Sequence, residues 1–207
     1  MTLTRRQTLT LGSAAAVTAV LPRNSAHAAE PQVNDDGLHT QPWFLNSFLD
    51  LREDAAEAKA AGKSLVIFWE QNGCPYCREM HRVNLAKPEI VDYIKQNFVV
   101  LQLNLYGARA VTDFDGTEME ERELARKMKV NFTPSISFFP SDPEALEGKS
   151  AADAEAWRLA GYWKPFHFMG TFVYVGSGGY KDEPNFQKWL TDWREKRRAV
   201  GEKIDIW

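Results

Sequence analysis

The segment Ser64-Leu65-Val66-Ile67-Phe68-Trp69-Glu70-Gln71-Asn72-Gly73-Cys74-Pro75-Tyr76-Cys77 holds both cysteines of a 207-residue chain, and its character changes twice along its length. Ser64 to Trp69 is a short apolar run, the pattern of a strand buried on both faces. Gln71-Asn72-Gly73 is turn chemistry. From Cys74 to about Leu85 the spacing predicts a helix, with Met80, Val83 and Asn84 on the turns beyond the cysteines. Strand, turn and helix together place Cys74 at a helix N-terminus. There, unpaired backbone N–H groups and the helix dipole favour a thiolate over a thiol. Pro75 suits the first turn, because its missing N–H has no partner there in any case. Cys77 stands one turn further in, where it can attack a mixed disulfide formed on Cys74.

Three chemistries fit a single Cys-x-x-Cys pair. A structural staple across so short a loop stabilises by roughly 2 kcal/mol, against about 4.7 kcal/mol for a 100-residue loop, and a domain of this size has core enough without it. A zinc site needs two further ligands. Beyond residue 28 the chain offers His39, His81 and His167, and only His81, four residues after Cys77, is near in sequence. A redox dithiol needs the strand–turn–helix setting, and that setting is present. The flanking residues favour the redox reading, with the staple and the zinc module as alternatives; neither a metal nor a cofactor is expected.

Hydrophobic residues make up 44% of the chain and aromatic residues 12%, a composition that suits one packed core with extensions. The net charge is −3; the first 28 residues carry three Arg and no acid, which leaves 22 basic against 28 acidic residues. A mildly acidic body has no electrostatic reason to seek nucleic acid or an anionic membrane. Residues 1–28 read as an address. Arg5-Arg6 precede a moderately apolar stretch from Leu9 to Leu21, and Ala26-His27-Ala28 is a small-x-small cleavage site. The apolar run falls short of the roughly 20 residues that span a bilayer. Arg23 and the weak hydrophobicity favour a twin-arginine route over Sec; either delivers a chain starting near Ala29 to the periplasm, with no membrane insertion.

Beyond the address, residues 29–42 are polar and rich in turn formers, read as a loose arm within an N-terminal segment 29–47. Phe48 to Ala61 reads as a helix ending at Gly62. A second helix starts at Lys87-Pro88-Glu89, and Phe98 to Leu105 is a strand candidate. Tyr106 to Thr117 reads as a loop; its Asp113, Asp115 and Gly116 miss the EF-hand pattern, so a turn is the better assignment. Glu118 to Lys129 reads as helix, Val130 to Phe139 as Thr133-Pro134 plus a strand, and Ser141 to Ala154 as turns. Trp157 to Trp163 is the last strand and Pro165 to Val175 a short helix. Pro184 to about Ala199 is the clearest helix, with Phe186, Trp189, Leu190 and Trp193 on one face. Residues 200–207 form a tail.

This order of elements, with the Cys-x-x-Cys helix and Thr133-Pro134, resembles the thioredoxin fold over 48–199: an α/β protein with a central mixed sheet flanked by helices, and a C-terminal helical extension. The run Trp69 to His81, the Asp113-Phe114-Asp115-Gly116 turn and Gly161-Tyr162 are similar to the periplasmic thioredoxins of sulfur-oxidation systems, the SoxW type. The resemblance implies that Cys74 is the attacking, solvent-facing thiol and Cys77 the buried resolving one, joined as a redox disulfide. It implies that Pro134 is the cis-proline facing them. Thr133, Pro75 and Tyr76 would then contact substrate.

Two positions depart from the family pattern. Gly73 stands where a Trp usually precedes the first Cys, and Phe68 stands where cytosolic thioredoxins bury an Asp. Proton removal from Cys77 then needs another group, and Glu70, His81 or water are the candidates; Glu70 itself is expected to be partly exposed at a strand end. Arg78, if near Cys74, would favour its thiolate. The stretch between Leu105 and Val130 is too short for the helical insertion of DsbA-type oxidases, and residues 29–47 are too few for a DsbC-type dimerisation domain. The resemblance therefore implies a reductase of protein disulfides, such as one on a sulfur-carrier protein, recharged by a membrane thiol transporter. A dithiol oxidase or isomerase, or a non-redox binding module on the same fold, are the alternatives.

Overall fold

The computed structural model describes residues 31–202, so the address at 1–28 and the last residues of the tail lie outside it. Its centre is a four-stranded sheet in the order β4-β3-β7-β8, built from β3 (Ser64–Glu70), β4 (Phe98–Asn104), β7 (Ser135–Phe138) and β8 (Trp157–Ala160). Strand β4 runs parallel to β3, whereas β7 is antiparallel to both β3 and β8. The mixed sheet of the thioredoxin fold is thereby present.

Because side chains alternate along a strand, β3 feeds two cores. Leu65, Ile67 and Trp69 join one cluster with α1 (Leu51–Ala60) and α4 (Glu121–Lys127). Val66 and Phe68 join the other, with α3 (Pro88–Asn97), α6 (Pro165–Gly176) and α8 (Phe186–Ala199). The same alternation puts Glu70 on the second face. The remaining elements are the short α5 (Ala151–Ala154) and α7 (Gly179–Asp182), together with two hairpins. These hairpins are β1 (Gln32–Val33) with β2 (His39–Thr40), and β5 (Ala110–Thr112) with β6 (Glu118–Glu120).

Several boundaries correct the sequence reading. Helix α1 starts three residues later than Phe48, because Leu49 has φ 67° and Asp50 takes the cap, accepting from the amides of Arg52 and Glu53. Phe48 is left almost fully exposed. The region 106–117 is not simply a loop: it begins a hairpin whose second strand occupies Glu118–Glu120, the start expected for α4. Its turn is tied by Lys127, whose ammonium lies 2.8 Å from Asp113 Oδ2 and 2.9 Å from Asp115 Oδ2. Helix α8 begins at Phe186 with Asn185 as its cap, so Pro184 precedes the helix without opening it.

The largest correction concerns the arm. Residues 31–47 are bound to the body. Leu38 is fully buried, the Asn34 side chain accepts from the Leu38 and Asp36 amides, and the Gln102 amide donates to the His39 carbonyl at 2.6 Å. Leu45 N–H adds a backbone bond to the Val100 carbonyl of β4. These bonds were invisible in a stretch of polar residues, since its one deeply buried side chain carries no periodicity.

Two outcomes follow. Replacing Leu38 by Ala lowers unfolding stability by about 2–4 kcal/mol in urea titrations; a free arm predicts a change within roughly 0.5 kcal/mol. Burial raises the carboxyl of Asp54 from 3.8 to about 6, against the opposing hydrogen bond from Ser47. The native state therefore holds the proton more tightly than the unfolded chain. Its stabilising contribution is complete below pH 3.8 and is lost as pH rises through 6. Asp54→Asn should flatten this limb of the stability–pH curve, measured as the urea midpoint between those limits.

Candidate active site at the Cys74–Cys77 helix

The turn from β3 into α2 (Pro75–Glu79) builds the site. Gly73 has φ 70°, and a Cβ there would meet nothing within 4 Å, so the position asks for glycine by backbone angle and not by space. Cys74 caps the helix: its Sγ accepts from the Cys77 amide at 3.0 Å. The two sulfurs form a disulfide with Cα atoms 5.2 Å apart. Opposite them, Thr133-Pro134 is cis, as the resemblance implied, and the Thr133 hydroxyl donates to Cys74 Sγ at 3.2 Å. Cys74, Cys77, Thr133 and Pro134 are thus brought together from two distant segments. The arrangement suits thiol–disulfide exchange, because hydrogen-bond donors converge on the outer sulfur and stabilise negative charge there.

Tyr76 is exposed and stacks on Tyr162, with ring centroids 6.3 Å apart. Pro75 is also exposed, at the first turn. Burial pushes the Tyr162 phenol up, and the Glu79 carboxylate adds to the shift. Phe132, immediately before Thr133, is exposed as well. An aromatic rim therefore surrounds the dithiol.

Three expectations about the site are corrected. Cys74 is only 3% exposed, not solvent-facing, because its sulfur is engaged by Cys77 and covered by the Thr133 side chain. Glu70 is fully buried, not a partly exposed strand end. Strand β3 runs through it, and the arm and His81 close over it. The expected continuous helix to Leu85 is α-helical only to Glu79; Met80–Asn84 is a π-turn, with Leu85 N–H bonding to the Met80 carbonyl. Met80, His81, Asn84 and Leu85 are all buried in and beside that turn.

Beneath the helix lies a buried polar cluster. His81 Nε2 is 2.8 Å from Glu70 Oε1, and Gln41 Nε2 is 3.1 Å from His81 Nδ1. Gln102 Nε2 also donates to Glu70 Oε1, at 3.1 Å. Asn84 holds the other side of the helix, donating to the Trp163 carbonyl at 2.8 Å and accepting from the Tyr162 hydroxyl at 3.4 Å. Sequence reasoning had named Glu70 and His81 as candidates but missed Gln41, Gln102 and Asn84; the one signal was Gln102, a polar residue in an otherwise apolar strand. Trp69 faces the other core and donates to Ser137 Oγ. His81 is engaged by Glu70, and among the described residues no cluster of three His, Cys, Asp or Glu side chains is placed to hold a metal. No described helix is long and apolar enough to cross a membrane.

A thioredoxin-fold protein from Helicobacter pylori superposes with a TM-score of 0.50 at 21% identity, covering 74% of this chain and 98% of that one. A thioredoxin from Thermus thermophilus gives 0.49 at 25% identity, over 65% and 90%. The oxidised C-terminal domain of Neisseria meningitidis DsbD gives 0.39 at 19% identity, over 57% and 85%. No curated protein sequence matches the chain. The model of the thioredoxin-like domain family matches residues 51–162, from the first helix through the Cys-x-x-Cys turn and the cis-proline to the end of the last strand. With more than half its length so matched, and with the sheet order and dithiol in place, this chain belongs to the thioredoxin-like domain family.

Proposed function

We propose that the protein is a periplasmic thiol–disulfide oxidoreductase that reduces disulfides of partner proteins. The observation that carries the proposal is the Cys74–Cys77 disulfide at a helix start facing the cis Thr133-Pro134 bond. In the reduced protein, the Cys74 thiolate attacks a partner disulfide, a mixed disulfide forms, and Cys77 displaces the partner as a thiol. The Thr133 hydroxyl and the Cys77 amide stabilise the charge on Cys74. The cis-proline loop beside the dithiol receives the extended segment around the partner's cysteine, and Pro75, Tyr76 and Thr133 contact it.

Residues 1–28 are read as a cleaved twin-arginine-type leader, 29–47 as an N-terminal arm, 48–199 as the thioredoxin-like domain and 200–207 as a tail. The space an oxidase would fill with a helical insertion holds only the β5–β6 hairpin and α4, which supports the reductase direction. The likeness to the SoxW type in the runs 69–81, 113–116 and 161–162 favours a sulfur-carrier protein as substrate, with a membrane thiol transporter as electron donor.

With Cys77→Ala, the mixed disulfide on Cys74 should persist and appear on non-reducing gels, while turnover of a protein disulfide falls about 100-fold or more. Absence of any adduct that Cys74→Ala removes would refute the exchange reading. The direction has its own check: equilibration with glutathione or dithiothreitol should place the couple near thioredoxin, about −270 mV, and away from the DsbA value of about −120 mV.

A further inference from the structure

Helix α4 ends where the approach to the cis-proline begins, and the way it ends opens a groove. Lys129 takes φ 55° after the last turn, and Val130 N–H bonds back to the Ala125 carbonyl. Arg158 of β8 holds that reversal: its guanidinium donates to the Met128 carbonyl at 2.7 Å and to the Lys129 carbonyl at 3.2 Å. The chain leaving β4 is fixed as well. Leu105 N–H bonds to the Glu70 carbonyl, and Asn104 Oδ1 accepts from the Tyr106 amide. Between these two segments lies a groove of about 270 Å³. Its base is the buried side chains of Leu105, Ala125 and Val130, and Tyr106, Arg122 and Arg126 stand exposed along it.

Its position ties the groove to the dithiol. Leu105 is bonded to the last residue of β3, four residues before Cys74. Val130 stands three residues before Thr133, whose hydroxyl reaches Cys74 Sγ at 3.2 Å. Three residues of extended chain span about 10 Å. A polypeptide disulfide-bonded to Cys74 and running past Phe132 therefore reaches the groove about three to five residues from its own cysteine. Phe132 and Tyr106, 53% and 67% exposed, offer rings along that route.

Both charged residues of the lining are arginines. Arg126 has no ion-pair partner among the described residues, and neither has the exposed Lys129 beside it; Arg122 is paired with Glu120. The other acids of α4 are engaged elsewhere: Glu121 is buried on Arg109, and Glu123 accepts from the Glu120 amide at the helix start. In a chain of net charge −3 this is a local excess of positive charge over an apolar base. A guanidinium takes a carboxylate through two parallel hydrogen bonds, and the base beneath it takes an aliphatic side chain.

We propose that this groove is a docking subsite for the partner protein, selecting a segment in which an apolar residue adjoins one or two acidic residues about three to five positions from the partner's reactive cysteine. The proposal rests on the oxidoreductase reading above and names the class of partner that reading leaves open. The apolar side chain covers Leu105, Ala125 and Val130, while the carboxylates meet Arg126 and Arg122. Matched partners gain encounter rate, and basic segments are turned away by like charge.

The test uses the reduced protein and two peptides, each with one cysteine carrying a thionitrobenzoate group. Leu-Glu-Glu or Leu-Lys-Lys stands about three to five residues away on both sides, so that either chain direction presents the motif. Attack by Cys74 on the peptide sulfur releases the coloured thiolate, and each rate is divided by that of dithiothreitol with the same peptide. The Glu peptide should react about 5- to 20-fold faster than the Lys peptide at low ionic strength. The ratio should approach one near 1 M salt, where the screening length is about 3 Å. Arg122→Glu with Arg126→Glu should invert the preference. Lys196→Glu with Arg198→Glu, the same charge change on α8, should leave most of it. Equal normalised rates in the wild-type protein, or a preference that the groove variant keeps, overturns the proposal; so does a preference that the α8 variant abolishes as fully. If the double groove variant does not fold, Arg126→Gln replaces it: a ratio lowered at least about twofold is expected, and an unchanged ratio overturns the proposal. Release of no thiolate from either peptide would instead refute the oxidoreductase reading itself.

Discussion

A strand buried on both faces leaves its side chains no route to water, and β3 is such a strand from Leu65 to Glu70. Five of those six residues are apolar and satisfy the constraint by packing. The sixth is a carboxylate, and its burial obliges the surroundings to supply donors. His81, Gln102 and, one contact further out, Gln41 are that supply. Each comes from a different element: the helix carrying the cysteines, the neighbouring parallel strand, and the N-terminal segment. The one acid at the end of β3 thus determines what its neighbours must be, and the helix that holds the dithiol is tied to the sheet by a polar contact as well as by packing.

The π-turn has its place in this arrangement. In a regular α-helix, at about 100° per residue, Met80, His81, Asn84 and Leu85 share one face over an arc of roughly 140°; in the π-turn all four are likewise buried. His81 then meets Glu70, while Asn84 clips the opposite side to Trp163 and Tyr162. Unwinding of the regular ladder at such a point is often found where function needs a side chain out of register. Here it lies one turn beyond Cys77.

Much of this was legible in the residues because the patterns are local. The apolar run of β3, the Asn72-Gly73 turn and the proline after Cys74 gave strand, turn and helix within fourteen positions, and the dithiol followed. The cis bond at Pro134 came only with the family resemblance, since nothing local to Thr133-Pro134 specifies it. What stayed hidden was long-range. Glu70 next to a turn has the sequence signature of an exposed strand end; its burial depends on a hairpin more than 25 positions upstream that carries no hydrophobic pattern of its own. Leu38 is the one deeply buried side chain of that hairpin, and a single buried leucine among Asn, Asp and Gly makes no periodic signal. Cys74 escaped for a related reason, because the side chain that covers its sulfur arrives from residue 133.

The same geometry distinguishes two positions on one face of β3. Position 68 lies over the centre of the second core, where Phe98, Phe138 and Phe172 pack around it or near it and a charge would be stranded. Two residues along the same face, at position 70, β3 ends and polar side chains from β4 and the helix after the cysteines come within hydrogen-bond distance. An acid at position 70 has a histidine partner that the aromatic surroundings of position 68 do not offer. It also requires the N-terminal segment to be folded in place, because Gln41 and the His39 carbonyl complete the cluster. In this chain the segment before the first helix is therefore part of the architecture that supports the dithiol, and its sequence is constrained by the acid it encloses.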